Sequence, residues 1–150
     1  MSDPSEWNRL LVSILENFEC QTGTIHRTTG NGLVLSLVCQ IGVPDVLLDK
    51  IATIPFGKGI AGAAAERREA VELCNLQQDL GGVAKADARQ TGVSGSIAVP
   101  IFSQSADRVV GTLGIGKYAP YEFTAAEKQR LATHAGEIAA LFGSPALGDD

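Results

Sequence analysis

Residues 54–71 read IPFGKGIAGAAAERREAV, and within them Gly57-Lys58-Gly59-Ile60-Ala61-Gly62 has the spacing G-x-G-x-x-G. That spacing is the fingerprint of a dinucleotide-binding turn, but the same glycines serve equally well in a tight turn of another fold. A dinucleotide site needs a buried strand running into the first glycine and a full helix after the last. It also needs an acid about 20 residues on, at the end of a parallel strand. Here Ile54-Pro55-Phe56 precedes the first glycine, and proline cannot donate to a central sheet ladder. The helix that follows, Ala61 to Arg67, has room for only about two turns. Glu72 and Asp79 are acids at loosely suitable distances, but the parallel partner strand and its crossover are missing. Gly57 and Gly59 are therefore read as a tight turn, with Gly62 packing against a sheet. The N–H groups at the helix start, with Lys58 beside them, also suit an anion or a polar ligand.

The flanking sequence confirms an antiparallel pattern. SEWNRLLVSILENFECQ places Trp7, Leu10, Leu11, Ile14, Leu15 and Phe18 at helical intervals, with Ser5 or Asp3 available as a cap and an end near Gly23. TIHRTTGNGLVLSLVCQIG reads as a hairpin, because Thr29-Gly30-Asn31-Gly32 supplies turn residues between two β-rich runs. In VPDVLLDKIATIPF, Asp45 is expected to cap one or two turns before Pro55 stops any regular element. AVELC is a short strand, and the roughly twenty residues that follow, rich in glycine, have the length of a functional loop. SIAVPIF and RVVGTLGIGKY form two antiparallel strands joined through SQSAD. FTAAEKQRLATHAGEIAALF is a helix, with a capping box from Thr124 to Glu127 and an apolar stripe of Leu131, Ala135, Ile138, Ala139 and Phe142. The tail GSPALGDD is expected to fray. Helix, hairpin, short helix, strand, long loop, two strands and helix make an α+β fold with an antiparallel sheet.

Composition excludes several classes of function. The 150 residues are the size of one domain, and 45% apolar with 19% charged residues is close to the globular average. A net charge of −5, with no basic run and few aromatics, lacks the footprint of a nucleic-acid binder. No leader pattern and no run of roughly 18 apolar residues is present, so a cytoplasmic protein without a membrane segment is expected. Cys20, Cys39 and Cys74 form no C-x-x-C pair and are read as reduced thiols, with no metal site. His26 and His134 are read as structural.

Three pieces in register, IPFGKGIAGAAAERREAVEL, GVSGSIAVPIF and RVVGTLGIGKYAPYEFTAAEKQRLATHAGEIAALF, resemble a GAF domain over about residues 5–142. The resemblance implies a central antiparallel sheet with the N- and C-terminal helices on one face and a ligand cavity on the other. The glycine-turn helix and the long loop would partly roof that cavity. It also implies a homodimer formed through the terminal helices, for which Trp7, Leu11, Ile14 and Phe18 with Leu131, Ile138 and Leu141 offer a seam; packing within one subunit is the competing use.

Family chemistries carry over only in part. The cyclic-nucleotide type has Asn-Lys after the last strand, then Phe, three residues and Asp-Glu. Here Gly116-Lys117, Phe123 and Glu127-Lys128 stand there, and Lys117 with Glu127 is expected to tie strand to helix. The free methionine sulfoxide reductase type carries a reactive cysteine directly before the last glycine of the turn, where this chain has Ala61. Its acidic substrate contacts correspond to Ser96, Gly114 and Gly116, none of which is acidic. Bilin and haem relatives need a cysteine beside a histidine or an axial histidine, and neither His26 nor His134 adjoins a cysteine.

The expected ligand residues are Lys58, Gly59 and Ile60 at the glycine turn, Cys74, Asn75 and Leu76 at the opening of the long loop, and Ser94 and Ser96 at its close. Cys39 or Cys74 is a further wall candidate. Alternation in GTLGIGK puts Thr112, Gly114 and Gly116 on one face of the sheet and Gly111, Leu113 and Ile115 on the other. The glycine pair leaves room there for either a close helix or a ligand. The expected function is a small-molecule-binding sensor that is not an enzyme and acts in signal transduction through a separate protein such as a kinase or regulator. The cofactor is unassigned. The alternatives are a ligand-free dimerisation scaffold and a reductase-like enzyme.

Overall fold

The computed structural model describes residues 4–29, 32–73, 94–105 and 107–143. The chain order is α1 (Pro4–Phe18), β1 (Thr22–Thr29), β2 (Val34–Ile41), a 3-10 turn (Asp45–Leu47), α2 (Leu48–Ile51), β3 (Thr53–Pro55), α3 (Gly59–Arg67), β4 (Val71–Leu73), β5 (Gly95–Phe102), β6 (Val109–Lys117) and α4 (Ala125–Phe142). The six strands form one sheet in the order β3-β2-β1-β6-β5-β4. Every neighbouring pair is antiparallel.

The alternation of β1, β5 and β6 divides the sheet into two unlike faces. Ile25, Ile97, Val99, Ile101, Leu113 and Ile115 point to one side, where they bury against Trp7, Leu11, Ile14 and Phe18 of α1 and Leu131, Ala135 and Ile138 of α4. Each fully buried Leu or Ile contributes about 1.5–3 kcal/mol, so this layer carries most of the fold's apolar stabilisation. Arg27 joins strand to helix here: its guanidinium lies 5.0 Å from the Phe142 ring centroid and donates to the Phe142 carbonyl at 3.2 Å. The opposite face is covered by α3, whose Ala63 and Ala64 pack on Ala98 and Val71.

Several expectations change. α1 ends at Phe18 rather than near Gly23, because Glu19 turns into the left-handed region at φ 53° and the Cys20 N–H returns to the Leu15 carbonyl at 3.0 Å. Lys117 acts on Glu127 only through its field, as one of the weaker causes lowering that carboxylate's pKa, and makes no direct salt bridge with it; its ammonium donates to the Phe18 and Glu19 carbonyls at 2.7 and 3.1 Å, a cation at the negative end of α1. It also lies 4.5 Å over the Tyr121 ring, and the Tyr121 hydroxyl donates to Glu127 at 2.8 Å, so strand and helix are tied through the tyrosine. Lys128 of α4 pairs with Glu72 of β4 at 2.9 Å. Asp45 is the first residue of the 3-10 turn rather than its cap, a position held by Pro44 without a side-chain bond. The proposed dimer seam is largely consumed within the chain, since Trp7, Leu11, Ile14, Phe18, Leu131 and Ile138 are all buried in the core. The Thr124–Glu127 capping box forms as expected.

The turn that opened the sequence question lies beside the edge of the sheet. Thr53–Pro55 is a short edge strand pairing with Val34–Ser36, so the proline stands where no further ladder is needed. Gly57 and Gly59 adopt φ of 92° and 64°, and the Gly57 N–H closes the loop on the Gly62 carbonyl at 2.8 Å. A Cβ on Gly62 would lie 2.6 Å from the Pro55 carbonyl oxygen. Gly62 therefore lets α3 seat directly on β3. Gly62→Ala is expected to lower unfolding free energy by about 1–3 kcal/mol through overpacking against backbone. Gly136→Ala, on an open stretch of α4 with nothing within 4 Å, is expected to raise it by about 0.5–1 kcal/mol. Urea unfolding of the two variants beside wild type checks both signs.

Candidate functional site

A cavity of about 500 Å³ lies on the small-residue face, between the sheet and the α2–β3–α3 segment. Thr22 and Thr24 of β1 and Gly114 of β6 form its floor, Leu47 and Ile51 one wall, and Ile54 and Ile60 the other. The floor is low because its residues are small: a Cβ on Gly114 would come within 3.2 Å of the Thr24 hydroxyl and 4.0 Å of the Ala98 methyl. Among the described lining residues the only ionisable side chains are Lys50 and Lys58. The cavity is thus apolar at its walls, hydroxylated at its floor and cationic at its rim, a composition suited to a small organic molecule.

The wall formed by α2 is pinned from beneath by a buried histidine. His26 follows Thr24 on the same face of β1, is 1% exposed, and places Nε2 2.9 Å from the Ile51 carbonyl oxygen. The carbonyl only accepts, so Nε2 carries the proton and Nδ1 is left as an acceptor. Burial lowers the His26 pKa below its ordinary 6.5, with the Ile51 carbonyl opposing that shift, and the ring is neutral. Among the described residues, Nδ1 and the hydroxyl of Thr112, directly across on β6, have no partner.

The expected site residues divide into three groups. Lys58, Gly59 and Ile60 line the cavity together with Ala61. Ser94 and Ser96 do not: Ser94 is buried with its N–H bonded to the Lys117 carbonyl at 2.8 Å, and Ser96 sits in β5 opposite Gly116. Cys74, Asn75 and Leu76 lie outside the described residues. Cys39, considered as a wall residue, faces the helix layer instead, where its thiol lies 3.7 Å from the Trp7 carbonyl. Burial pushes the Cys39 thiol up to about 12 and that of Cys20 to about 11. Gly114 of the floor is one of the glycines read as leaving room for a close helix or a ligand; Thr22, Thr24 and the α2 wall were missed, although the period-two run Thr22-x-Thr24-x-His26 was the signal for the threonines. Among the described residues no cluster of His, Cys, Asp and Glu can hold a metal ion, and no helix is long and apolar enough to cross a membrane. A second depression of about 420 Å³ runs between α4 and β5, bordered by Arg68, Glu69 and Lys128.

The neutral His26 makes stability depend on pH with a definite sign. Its folded pKa is depressed, so the unfolded chain binds the extra proton first; stability is full above about pH 6.5 and falls as pH drops below it. Glu127 and Asp107, whose pKa values are also lowered, act only at more acid pH. Urea unfolding at pH 7.5 and 5.5 is expected to show a loss for wild type that His26→Gln, which keeps a donor toward Ile51, abolishes over this window. An equal loss in both proteins contradicts the assignment.

A family model described as the GAF domain matches residues 2–142. No curated protein matches. Among solved structures, the GAF domain of a phosphoenolpyruvate-protein phosphotransferase from Coxiella burnetii superposes with a TM-score of 0.75 at 20% identity, over 91% of this chain and 80% of that one. The free methionine-R-sulfoxide reductase of Neisseria meningitidis, in complex with its substrate, gives 0.75 at 19% identity, over 95% and 79%. A domain of a candidate two-component sensor histidine kinase protein from Sinorhizobium meliloti 1021 gives 0.71 at 13%, over 92% and 88%. At these identities the structures speak to the fold, and the family match to nearly the whole chain supplies membership: this protein belongs to the GAF domain family.

Proposed function

We propose that this chain is a sensory GAF domain that binds a small molecule between the sheet and the α2–α3 segment and transmits its presence to a partner protein. The observation that carries this reading is the 500 Å³ cavity, with apolar walls and threonine hydroxyls on its floor. Similarity to domains of a phosphotransferase and a candidate sensor kinase supports a regulatory role. In this reading the partner is a separate kinase or regulator. The terminal helices also pair in a homodimer through the surface their core-facing residues leave outside, where Val12 is 43% exposed. Signalling then requires the ligand to favour one arrangement of those helices, since equal affinity for two arrangements shifts neither.

The cavity acts by binding rather than turnover. Ala61 lines it at the place where the resembling reductases carry their cysteine, and a methyl group cannot act as a nucleophile. The thiols of Cys20 and Cys39 lie on the opposite side of the sheet and are held protonated by burial.

A thermal-shift screen of small metabolites against wild type and Gly114→Val tests the reading, because valine fills the floor while suiting a strand. A ligand at a hundredfold its Kd adds about 2.7 kcal/mol, or roughly 5–10 °C for a domain of this size, and the variant is expected to lose that response. A library that leaves wild type unmoved, or moves both proteins equally, overturns the site. Turnover of free methionine sulfoxide with a thiol reductant, abolished by Cys74→Ser, would overturn the non-enzymatic reading.

A further inference from the structure

We propose that α2 is a gate over the cavity operated by the ring of His26: the wall stays shut while the ring is neutral and lifts locally off the sheet when the ring takes a proton. The gate rests on the geometry of the wall. Only its use, to admit or release a molecule held between the threonine floor and α2, rests on the reading of the cavity as a ligand site. α2 has little of its own to hold it. It is four residues long, and none of the four is fully buried. Leu47, in the 3-10 turn before it, is 2% exposed and anchors one end. At the other end the carbonyls of Ile51 and Ala52 tie the wall to the sheet, accepting from His26 Nε2 at 2.9 Å and from the Leu37 N–H at 2.9 Å. The first of these donors belongs to a side chain whose charge can change.

A proton on that ring has no water to meet while α2 is shut. His26 is 1% exposed; its register partner on β2 is Leu37, and on β6 it is Thr112, itself 1% exposed. The charged and titratable groups of the surrounding elements face elsewhere. Arg27 of β1 lies against Phe142 on the other face of the sheet, and Lys117 of β6 is bonded to the end of α1. β2 and β3 carry no charged residue, and the Cys39 thiol of β2 faces the helix layer. Asp45, Asp49 and Lys50 of the wall, Lys58 before α3, and Glu66 and Arg67 on it are all exposed. Burial is accordingly what holds the ring's pKa low, with the Ile51 carbonyl opposing it and no charged side chain contributing. A proton arriving at Nδ1 would add a second N–H in a site that holds no carboxylate. Two routes bring water to that ring. Unfolding the domain exposes the whole apolar layer under α1 and α4, whereas lifting α2 exposes little beyond Leu47 and frees two carbonyls. The second route uncovers far less apolar surface, so acid opens the wall first.

Native-state amide exchange of the ¹⁵N-labelled full chain, followed by NMR at pH 7.5 and 5.5 and corrected for the intrinsic pH dependence of exchange, reads the gate without any ligand. The reporters are Ala52 and Leu37, whose N–H groups bond to the Leu48 and Ala52 carbonyls, while Ile25 and Leu113 report the core. A ring that titrates near its ordinary 6.5 once α2 is open makes the open state about tenfold more populated at pH 5.5 than at 7.5, and the protection of Ala52 and Leu37 is expected to fall by that factor. Low urea should leave the exchange of these two unchanged and speed that of Ile25 and Leu113, as a local opening requires. His26→Gln, which keeps a donor toward Ile51, should show the same protection at both pH values. His26→Leu, which keeps neither donor nor proton, should be less protected and equally flat. Protection at Ala52 and Leu37 that ignores pH in wild type, that falls with pH in the variants as it does in wild type, or that follows urea as the core does, overturns the gate and leaves the cavity reading standing.

Discussion

The structure depends on a division of labour imposed by the pleat of β1 and β6, the central pair of the sheet. Successive side chains of a strand point to opposite faces, so a sequence that alternates bulk with smallness builds one crowded face and one vacant one. In TGTIHR and TLGIGK the bulk goes to Ile25, Leu113 and Ile115, and the smallness to Thr22, Thr24, Gly114 and Gly116. The first set closes a core against α1 and α4. The second leaves a floor too low to touch α2 or the first turn of α3, and the resulting gap is the cavity. Stability and ligand capacity are thus assigned to opposite sides of the same strands.

This separation has a thermodynamic consequence. Because the apolar layer lies under the terminal helices, the cavity face can keep unfilled volume and unpaired polar atoms without unfolding the domain. His26 shows where the two requirements meet: it is as buried as a core residue, yet its one hydrogen bond supports the backbone of the α2 wall rather than the core. The wall is short, with four α-helical residues after a three-residue 3-10 turn, and an isolated segment of that length has little helical stability of its own. Its position is set by what holds it to the sheet.

The order of elements, the antiparallel hairpin and the capping box of α4 were legible because each rests on local chemistry: period, turn residues and a Thr-to-Glu spacing. The glycine motif was rejected as a dinucleotide site for the right reason, since Pro55 does lie in an edge strand, although β3 itself was too short and too proline-marked to be expected. The cavity was legible only in part. Lys58, Gly59 and Ile60 were found through the glycine turn, whereas Leu47 and Ile51 lie 23 and 27 residues after Thr24, in no fixed periodic relation to it; only the fold brings them over the threonines. Cys39 was offered beside Cys74 for the wall without reading the period of β2, and it is the packing of that strand under Trp7 that places it on the helix side. Lys117 found the carbonyls at the end of α1 instead of Glu127, a choice between a short local pair and a helix terminus that spacing does not decide.

The central claim is that the gap above Thr24 and Gly114 is an occupied ligand site rather than a packing defect. Native mass spectrometry of the chain purified gently from its own cells, beside the denatured protein and beside Gly114→Val treated alike, tests it most directly. The account predicts a mass excess on the wild-type protein that disappears on denaturation and is absent from the variant. A bare mass for both native proteins, or the same excess on both, would contradict it.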